Sequence, residues 1–596
     1  MASNFTVFES AVSALSVNSQ ALSVASQNIA NVNTTGYSRQ YVVMKSRTPQ
    51  TTGGHELGRG VEVADIRRVY DNFAEIRLRD AQESKARYEA TSGVLKQVES
   101  YFNEVGGNGL AKYTSDLFNS FHEVGTDPAN TNPRLDLLNK ADIMIDRFND
   151  LATKLEQAKT LIDGDIINSV NDINNLAQEI AELNLKVQSS GEGADLTFRD
   201  QRNAKINELA QYIDISVVET SDNVLQIYAG DGIQLVNGVN YGQFDTEPNV
   251  SNNNHLDLLY VYGGVESNIS TRINGGSLYG LTEVRDTLIT NYQNQLDEMA
   301  GRIIVEVNDL HSNGYNLTGS NLVEFFDEDA LATDTAAGTT LLTDLKDSNG
   351  AHLRIKAGDT ITVTGTVTGA MNSTITVASG TTLTSLAASL QAIIRAAGDN
   401  TETVTVLGDG SLEVTAGGVA VTNLQLTITG KTAFNTAFDY PTPIAIAGTG
   451  ASDTLTVTDF TGASSLIALD SAVDGTPNGI AASGSSDDLP GGNSIAVQLA
   501  ALQNGLVSFD SGDTTFAGFY GNILATIGSD SRSYANRAEF SAQVSRQAQL
   551  QREQISGVSL EEEQLNLIKY QSAFQAASRL ISVASEILQR LVELGQ

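Results

Sequence analysis

Two hydrophobic ladders at opposite ends of this chain constrain its fold more than anything between them. Phe8, Leu15, Leu22 and Ile29 recur at seven-residue spacing near the start, and Leu560, Leu567, Phe574, Ile581 and Leu588 do so near the end. Ala11, Ala25 and Val32 accompany the first ladder, and Tyr570, Ala577, Ala584 and Leu591 the second. A heptad repeat keeps one apolar seam along a helix and requires a partner helix to cover it. Neither end can bury its seam alone, so each is expected to pair with the other end or with a neighbouring copy. That is the design of an assembly protein rather than of a self-contained catalyst.

At 596 residues the chain exceeds what one hydrophobic core supports, so several domains are expected. Lys and Arg total 36 against 71 Asp and Glu, a net charge of −35 that repels nucleic acid and anionic membranes. Cysteine is absent, which excludes a disulfide framework and thiolate metal sites. Glu9 is the only charged side chain before Arg39, so the start lacks the basic region of a cleaved secretory signal. No window approaches the ~20 apolar residues that span a bilayer. Export, if it occurs, is expected to read something other than a cleaved signal.

The first helix is expected to begin near Thr6, with Glu9 as reciprocal capping partner, and to run to about Val32, where Asn33-Thr34-Thr35-Gly36 breaks it. Its polar face is Ser, Asn and Gln, which makes it marginal in isolation. Residues 37–66 read as extended, with a Gly53-Gly54 turn. A helical block follows from about Val69 to Leu209, interrupted at Asp127-Pro128 to Pro133 and at Gly191-Glu192-Gly193. Residues 215–275 alternate as short strands, and helix returns from Ser277 to about His311. The segment 333–490 is rich in Thr, Gly, Ala and Val. Strands are expected at Ile361-Thr362-Val363 and Ile375-Thr376-Val377, a helix on Leu386, Leu390 and Ile393, and a hairpin that sets Val404 and Val406 against Leu412 and Val414. The run from Gly358 to Thr364 is echoed between Ser452 and Thr458, a hint of two related β units. Helix resumes near Ser494, with interruptions around Phe509 and Ile555, and Ser559-Leu560-Glu561-Glu562 caps the last helix.

The resulting fold class is α+β and multidomain. The N- and C-terminal helices pair in a coiled-coil domain (1–40 and 556–596), next to a mainly helical core domain (41–214, 276–332 and 491–555). A small β-rich domain (215–275) and a β-rich outer insertion (333–490) complete it.

No catalytic constellation accompanies this plan. The histidines His55, His122, His255, His311 and His352 are scattered without zinc-ligand spacing, and neither a phosphate-cradling loop nor a nucleophile elbow is present. Asp510 and Asp513 read as a solvated turn rather than a cation site. The densest basic stretch, Arg67, Arg68, Arg77, Arg79, Lys85 and Arg87, reads as a helix face paired with Asp71, Glu75, Asp80 and Glu83. Between Lys431 and Arg532 there is no basic residue but ten Asp, consistent with an outward-facing soluble tip. No enzyme, cofactor or metal is expected.

The run Asn28-Ile29-Ala30-Asn31-Val32-Asn33-Thr34-Thr35-Gly36-Tyr37-Ser38-Arg39-Gln40 resembles the N-terminal signature of the bacterial flagellar axial proteins. Its Gly-Tyr-Ser-Arg-Gln ending is similar to the hook-associated members in particular, with Asn28, Asn31, Gly36, Tyr37, Ser38 and Arg39 as the matching positions. Further similarity lies at Gly58-Arg59-Gly60-Val61, Arg199-Asp200, Gly275-Gly276-Ser277-Leu278 and His311-Ser312-Asn313-Gly314-Tyr315. At the end, Ser556 to Glu563 and Tyr570 to Ala576 resemble the family's terminal helix, with Phe574 where Tyr is usual. The resemblance covers roughly the first 330 residues and the last hundred. It implies a structural protein at the junction of hook and filament, exported unfolded through the flagellar type III channel to the extracellular flagellum. Implied partners are neighbouring copies, the hook protein, the next hook-associated protein and an export chaperone on the C-terminal region, with no nucleic acid and no membrane insertion. The alternatives are a hook or filament subunit, or an outer β-rich domain with an added surface-binding role. Residues Phe8, Leu15, Leu22, Ile29 and Val32 would form the N-terminal assembly helix, and Leu560, Leu567, Phe574, Ile581, Leu588 and Leu591 the C-terminal one. Removing 1–35 or 560–596 should leave a soluble, folded middle that fails to enter the flagellum, checked by circular dichroism of the fragment and by its absence from isolated hook–filament junctions.

Overall fold

The computed structural model describes residues 2–594 apart from 53–54, 104–108, 191–194, 221–223, 329–330, 332, 336–344, 347–359, 367–369, 379–380, 398–402, 407–411, 416–421, 432–436, 440–443, 446–455 and 459. In chain order the helices are α1 (Ala2–Ala30), α2 (Asn72–Tyr101), α3 (Leu110–Thr126), α4 (Thr131–Ser189), α5 (Leu196–Tyr212), α6 (Gly276–Glu283) and α7 (Thr290–His311), followed by α8 (Leu383–Ala397), α9 (Ala463–Leu466), α10 (Ser494–Ala501), α11 (Phe516–Ser556) and α12 (Leu560–Leu594). A π-helical turn, Val284–Ile289, joins α6 to α7. The chain divides into two compact units, one of Met1–Lys96, Lys159–Thr287 and Asp530–Gln596, the other of Gln97–Ala158 and Leu288–Ser529.

Local chemistry sets the helix ends. Asp71 caps α2, its Oδ1 accepting the N–H groups of Phe73 (2.8 Å) and Ala74 (3.2 Å). Asn130 does the same for α4 through the N–H of Asn132 (3.0 Å), and Pro133 sits in the first turn, where its missing N–H costs nothing. Ser559 Oγ accepts the N–H of Glu562 (3.4 Å), and Glu561, Glu562 and Glu563 complement the positive end of the α12 dipole. At the N-terminus the expected cap is not found. Helix α1 already includes Ala2, so Thr6 lies inside it, and the Glu9 carboxylate accepts from Arg59 instead. The helix ends at Ala30, and the turn that follows closes at Gly36, whose φ of +83° suits a residue without Cβ.

In the first unit, Gln40–Ser46 pairs antiparallel with Val61–Arg68, with a bulge between Val43 and Met44. A four-stranded meander (Ile215–Glu219, Leu225–Ala229, Ile233–Asn237, Asn240–Tyr241) and a three-stranded sheet of Gln243–Asn249, His255–Tyr262 and Val265–Asn268 realise the alternating pattern of 215–275. Helix α1 packs on the Gln40 and Val61 strands and along α12 of the same chain.

In the second unit the core is aromatic. Phe509 stacks on Phe519 at 3.9 Å, Phe118 on Phe516 at 5.6 Å, and Phe121 meets Phe325 at 5.2 Å. Asp297 of α7 accepts the N–H groups of Gly462 (2.9 Å) and Ser464 (3.0 Å), and the buried Arg134 donates to the carbonyl of Ile480 (2.6 Å). Within the expected insertion, Thr360–Thr366 lies between Ala370–Thr376 and Thr422–Lys431, and α8 supplies Leu383, Leu386, Leu390 and Ile394 to a core shared with Ile361, Val363, Val404 and Val414. The hairpin pairs Val404 with Val414 and Val406 with Leu412, as the alternation requires, while its turn lies outside the described residues. The echoed runs are not equivalent. Thr360–Thr366 pairs within the larger sheet, whereas Thr456–Thr458 pairs with Thr333–Thr335 and Leu345–Lys346. Thr-rich alternation specifies a strand but not its neighbour.

His311 closes α7 as a buried neutral imidazole. Nδ1–H donates to the Val323 carbonyl (2.7 Å), and Nε2 accepts the N–H of Ala481 (2.8 Å). Burial pushes its pKa down to about 4. The unfolded chain then binds one more proton than the folded chain between pH 6.5 and 4, so stability falls as pH drops through that window. The loss is on the order of 3 kcal/mol. Urea unfolding at pH 7 and at pH 4.5 should show it, and His311→Gln should flatten that limb.

Candidate assembly site

The signature Asn28 to Arg39 folds into a hydrogen-bonded hub where the two chain ends meet. Asn28 is fully buried, and every polar group on its side chain is used. Nδ2 donates to the Gln40 carbonyl (2.8 Å) and to Glu563 Oε2 (3.1 Å), while Oδ1 accepts from Gln40 N–H (3.0 Å) and the Tyr37 hydroxyl (2.9 Å). Buried amides are stable only when satisfied in this way. Glu563, on the first turn of α12 and itself buried, receives Arg39 Nε at 2.7 Å, and Arg39 also reaches Glu562 at 3.3 Å. The Arg39 N–H donates to the carbonyl of Ser556 (2.8 Å), which ties the strand to the end of α11.

A buried arginine supports the same turn. Arg552 donates to Glu75 Oε1 (2.9 Å) and to the carbonyl of Gly36 (2.9 Å). Ser38 N–H donates to Asp200 Oδ2 (3.2 Å), whose other oxygen accepts from Arg68 (2.7 Å). Burial, with the nearby Asp200 and Glu563 carboxylates, pushes the Tyr37 phenol up to about 12, so it stays a donor at any physiological pH. Burial raises Asp200 despite Arg68. Asn31 does a smaller task, its Nδ2 donating to the Gln27 carbonyl (2.9 Å) and its Oδ1 accepting from Thr34 (3.2 Å), which closes the end of α1.

The ladders themselves are only half covered. On α1 the well-buried apolar positions are Ala11, Val17, Ala21, Val24 and Ala25, while Phe8, Leu15, Leu22, Ile29 and Val32 are half-buried along the margin. On α12, Ala577 and Ala584 are buried and Leu567, Phe574 and Ile581 half-buried. Leu560 is exposed, and the side chains of Leu588 and Leu591 lie outside the described residues. On the roughly opposite face of α12, Leu565, Ile568, Leu580, Val583 and Ile587 form a second apolar stripe, all exposed to water. Leu565 is 69% exposed and Ile568 63%, values rare for large aliphatics in a closed monomer.

Sequence patterning finds the ladders and the signature but not the partners Glu563, Arg552, Glu75 and Asp200. Their signal was a buried-type turn rich in Asn, Tyr and Arg that needed carboxylates from elsewhere. The basic stretch also resolves differently from its expected pairing. Arg67 pairs with Asp65, Arg68 with Asp200, Arg87 with Glu283 and Lys85 with Glu89, while Asp71 is a helix cap. Among the described residues no cluster of side chains could hold a metal, and no helix is long and apolar enough to cross a membrane.

Comparison with known proteins places these ends. The model of the flagellar hook-associated protein FlgK helical domain matches residues 95–326, that of the flagella basal body rod protein residues 8–37, and that of the flagellar basal body rod FlgEFG protein C-terminal region residues 551–594. Flagellar hook-associated protein 1 of Escherichia coli (strain K12) is 27% identical over 99% of both chains, and that of Bacillus subtilis (strain 168) is 21% identical over 99% of this chain and 98% of its own. The flagellar hook junction protein FlgK from Burkholderia pseudomallei shares the fold, with a TM-score of 0.51 and 17% identity over 80% of this chain and 99% of that one.

Replacing Asn28 by Ala strands the Glu563 oxygen and the Gln40 backbone and should cost roughly 3 kcal/mol. Arg552→Met leaves Glu75 buried without its cation and should cost about 3 to 5 kcal/mol. Equilibrium denaturation of each variant checks both.

Proposed function

The chain belongs to the flagellar hook-associated protein family, structural and non-enzymatic parts of the bacterial flagellum, and on that premise we propose that it builds the layer joining hook to filament. One observation carries the reading: α12 has two apolar faces, one against α1 of its own chain and one exposed. A helix hydrophobic on both sides is built for a core, and here the chain supplies only half of one. Neighbouring copies complete it in this reading. The half-buried ladders Phe8, Leu15, Leu22 and Ile29 on one helix, and Leu567, Phe574 and Ile581 on the other, then become the seams of a coiled-coil inner domain. The hook protein, the next hook-associated protein and an export chaperone on the C-terminal region are the further partners, and the molecule reaches the flagellum without a cleaved signal.

The coupling of order to assembly follows from the same surface. An apolar stripe exposed in the monomer is a standing cost that association removes, so incorporation stabilises the terminal helices by mass action. Deleting the gene should leave an intact hook without a filament, seen by electron microscopy of isolated basal structures; loss of the hook itself would overturn the junction assignment. The double substitution Leu565→Asp and Val583→Asp should change unfolding free energy by less than about 0.5 kcal/mol each, as exposed positions do. The same variant should abolish incorporation into junctions.

A further inference from the structure

One leucine of the second unit has a backbone that leucines avoid. Among the described residues three that are not glycine have φ in the left-handed region: Asn253 at +50°, Asn254 at +62° and Leu322 at +59°. Asparagine tolerates that region because its short amide bonds the local backbone, whereas the Cβ of a leucine crowds the following carbonyl oxygen. Leu322 is also 78% exposed. A single exposed leucine carries no weight by itself, since folded surfaces hold many. A strained one persists only where its surroundings over-determine it.

The surroundings of Leu322 do so. Asn308 Oδ1 accepts the N–H groups of Phe325 (3.0 Å) and Phe326 (2.9 Å), whose side chains are fully buried. His311 Nδ1–H holds the Val323 carbonyl (2.7 Å). Earlier in the loop, Asn316 Oδ1 accepts the N–H groups of Thr318 (3.0 Å) and Ser320 (2.9 Å), and the Leu317 N–H donates to the Asn478 carbonyl (3.2 Å). The Leu322 N–H itself donates to the Ser312 carbonyl (3.0 Å). The loop is a rigid mount that turns an apolar side chain outward. Thr318, Gly319, Ser320 and Asn321 beside it are exposed, and no residue from Ser312 to Val323 carries a charge.

We propose that Leu322 is a docking knob, seated in an apolar recess on a second copy of this chain. The choice of a like copy rests on charge. Two chains of net charge −35 repel wherever acidic surfaces face each other, and an uncharged loop is where they approach with least opposition. Contact between Leu322 and a different patch on the next copy is heterologous, the kind that repeats around a ring or helix. The inference rests on the assembly reading above and adds a contact outside the terminal helices.

The test uses the full chain. A photoreactive phenylalanine analogue placed at position 322 is assembled into flagella and irradiated. A cross-linked pair of copies, identified by mass spectrometry, is expected; a product with a different protein, or none, overturns the proposal. Two variants separate docking from folding. Leu322→Asn relieves the backbone and removes the knob, so it should raise the urea midpoint of the purified chain while lowering incorporation into junctions about tenfold. Leu322→Met keeps an apolar side chain of similar volume and should incorporate within about twofold of the unchanged protein. A lowered midpoint for Leu322→Asn overturns the docking role. Normal incorporation of Leu322→Asn, beside exclusion of the Leu565→Asp and Val583→Asp double variant, sinks the Leu322 contact and leaves the terminal-helix reading standing. Absence of the unchanged chain from junctions sinks both.

Discussion

The bond from Asn28 to Glu563 joins positions 535 residues apart and lies at the centre of everything that holds the chain ends together. Closing so long a loop has an entropic cost that grows only slowly with length, so a compact set of strong contacts can hold it. The set is compact: Asn28 is saturated by four hydrogen bonds, Arg39 holds Glu563 and Glu562, and Arg552 holds Glu75 and the Gly36 carbonyl. Arg552, Glu75 and Glu563 are buried beside their opposites, where removing one partner costs far more than the pair contributes net, while Arg39 is partly exposed and Glu562 lies in water. The geometry of the ends is therefore over-determined at the base of the helices.

Away from that base the chain is held more loosely. Further along α1 and α12 the buried positions are small, Ala11, Val17, Ala21, Val24, Ala25, Ala577 and Ala584, while the larger apolar side chains are half covered or exposed. Alanine rows let helices approach closely but remove little apolar area from water. A firm base with under-buried arms suits a subunit that must be correctly folded at its hub and still open to neighbours along its helices. The stretch between Lys431 and Arg532 carries Asp without Lys or Arg, a composition that disfavours non-specific adhesion.

Several elements were legible because they repeat. The heptads located α1 and α12, alternation located the strands around Leu225 and Ile361, and the Asp127-Pro128 break fell where α3 gives way to α4. Single-residue features were less legible. Thr6 and Glu9 have capping spacing, yet the helix extends beyond them to Ala2 and the Glu9 carboxylate is taken by Arg59. Asp71 is expected to pair with the basic stretch, yet it is spent on the N–H groups of Phe73 and Ala74. A short acidic side chain at a helix start caps before it pairs.

By itself the sequence determined the kind of each element and the presence of apolar rows, because periodicity is a local property of side chains on a regular backbone. It also carried the signature from Asn28 to Arg39, since the residues of that turn are contiguous. Only the tertiary structure decided that Glu563, Arg552 and Asp200 satisfy that turn, that the small-residue rows of the terminal helices are the buried ones, and that Leu565 and Val583 remain in water. Periodicity states the direction an apolar face takes on its own helix. What covers that face depends on residues hundreds of positions away, and on other chains.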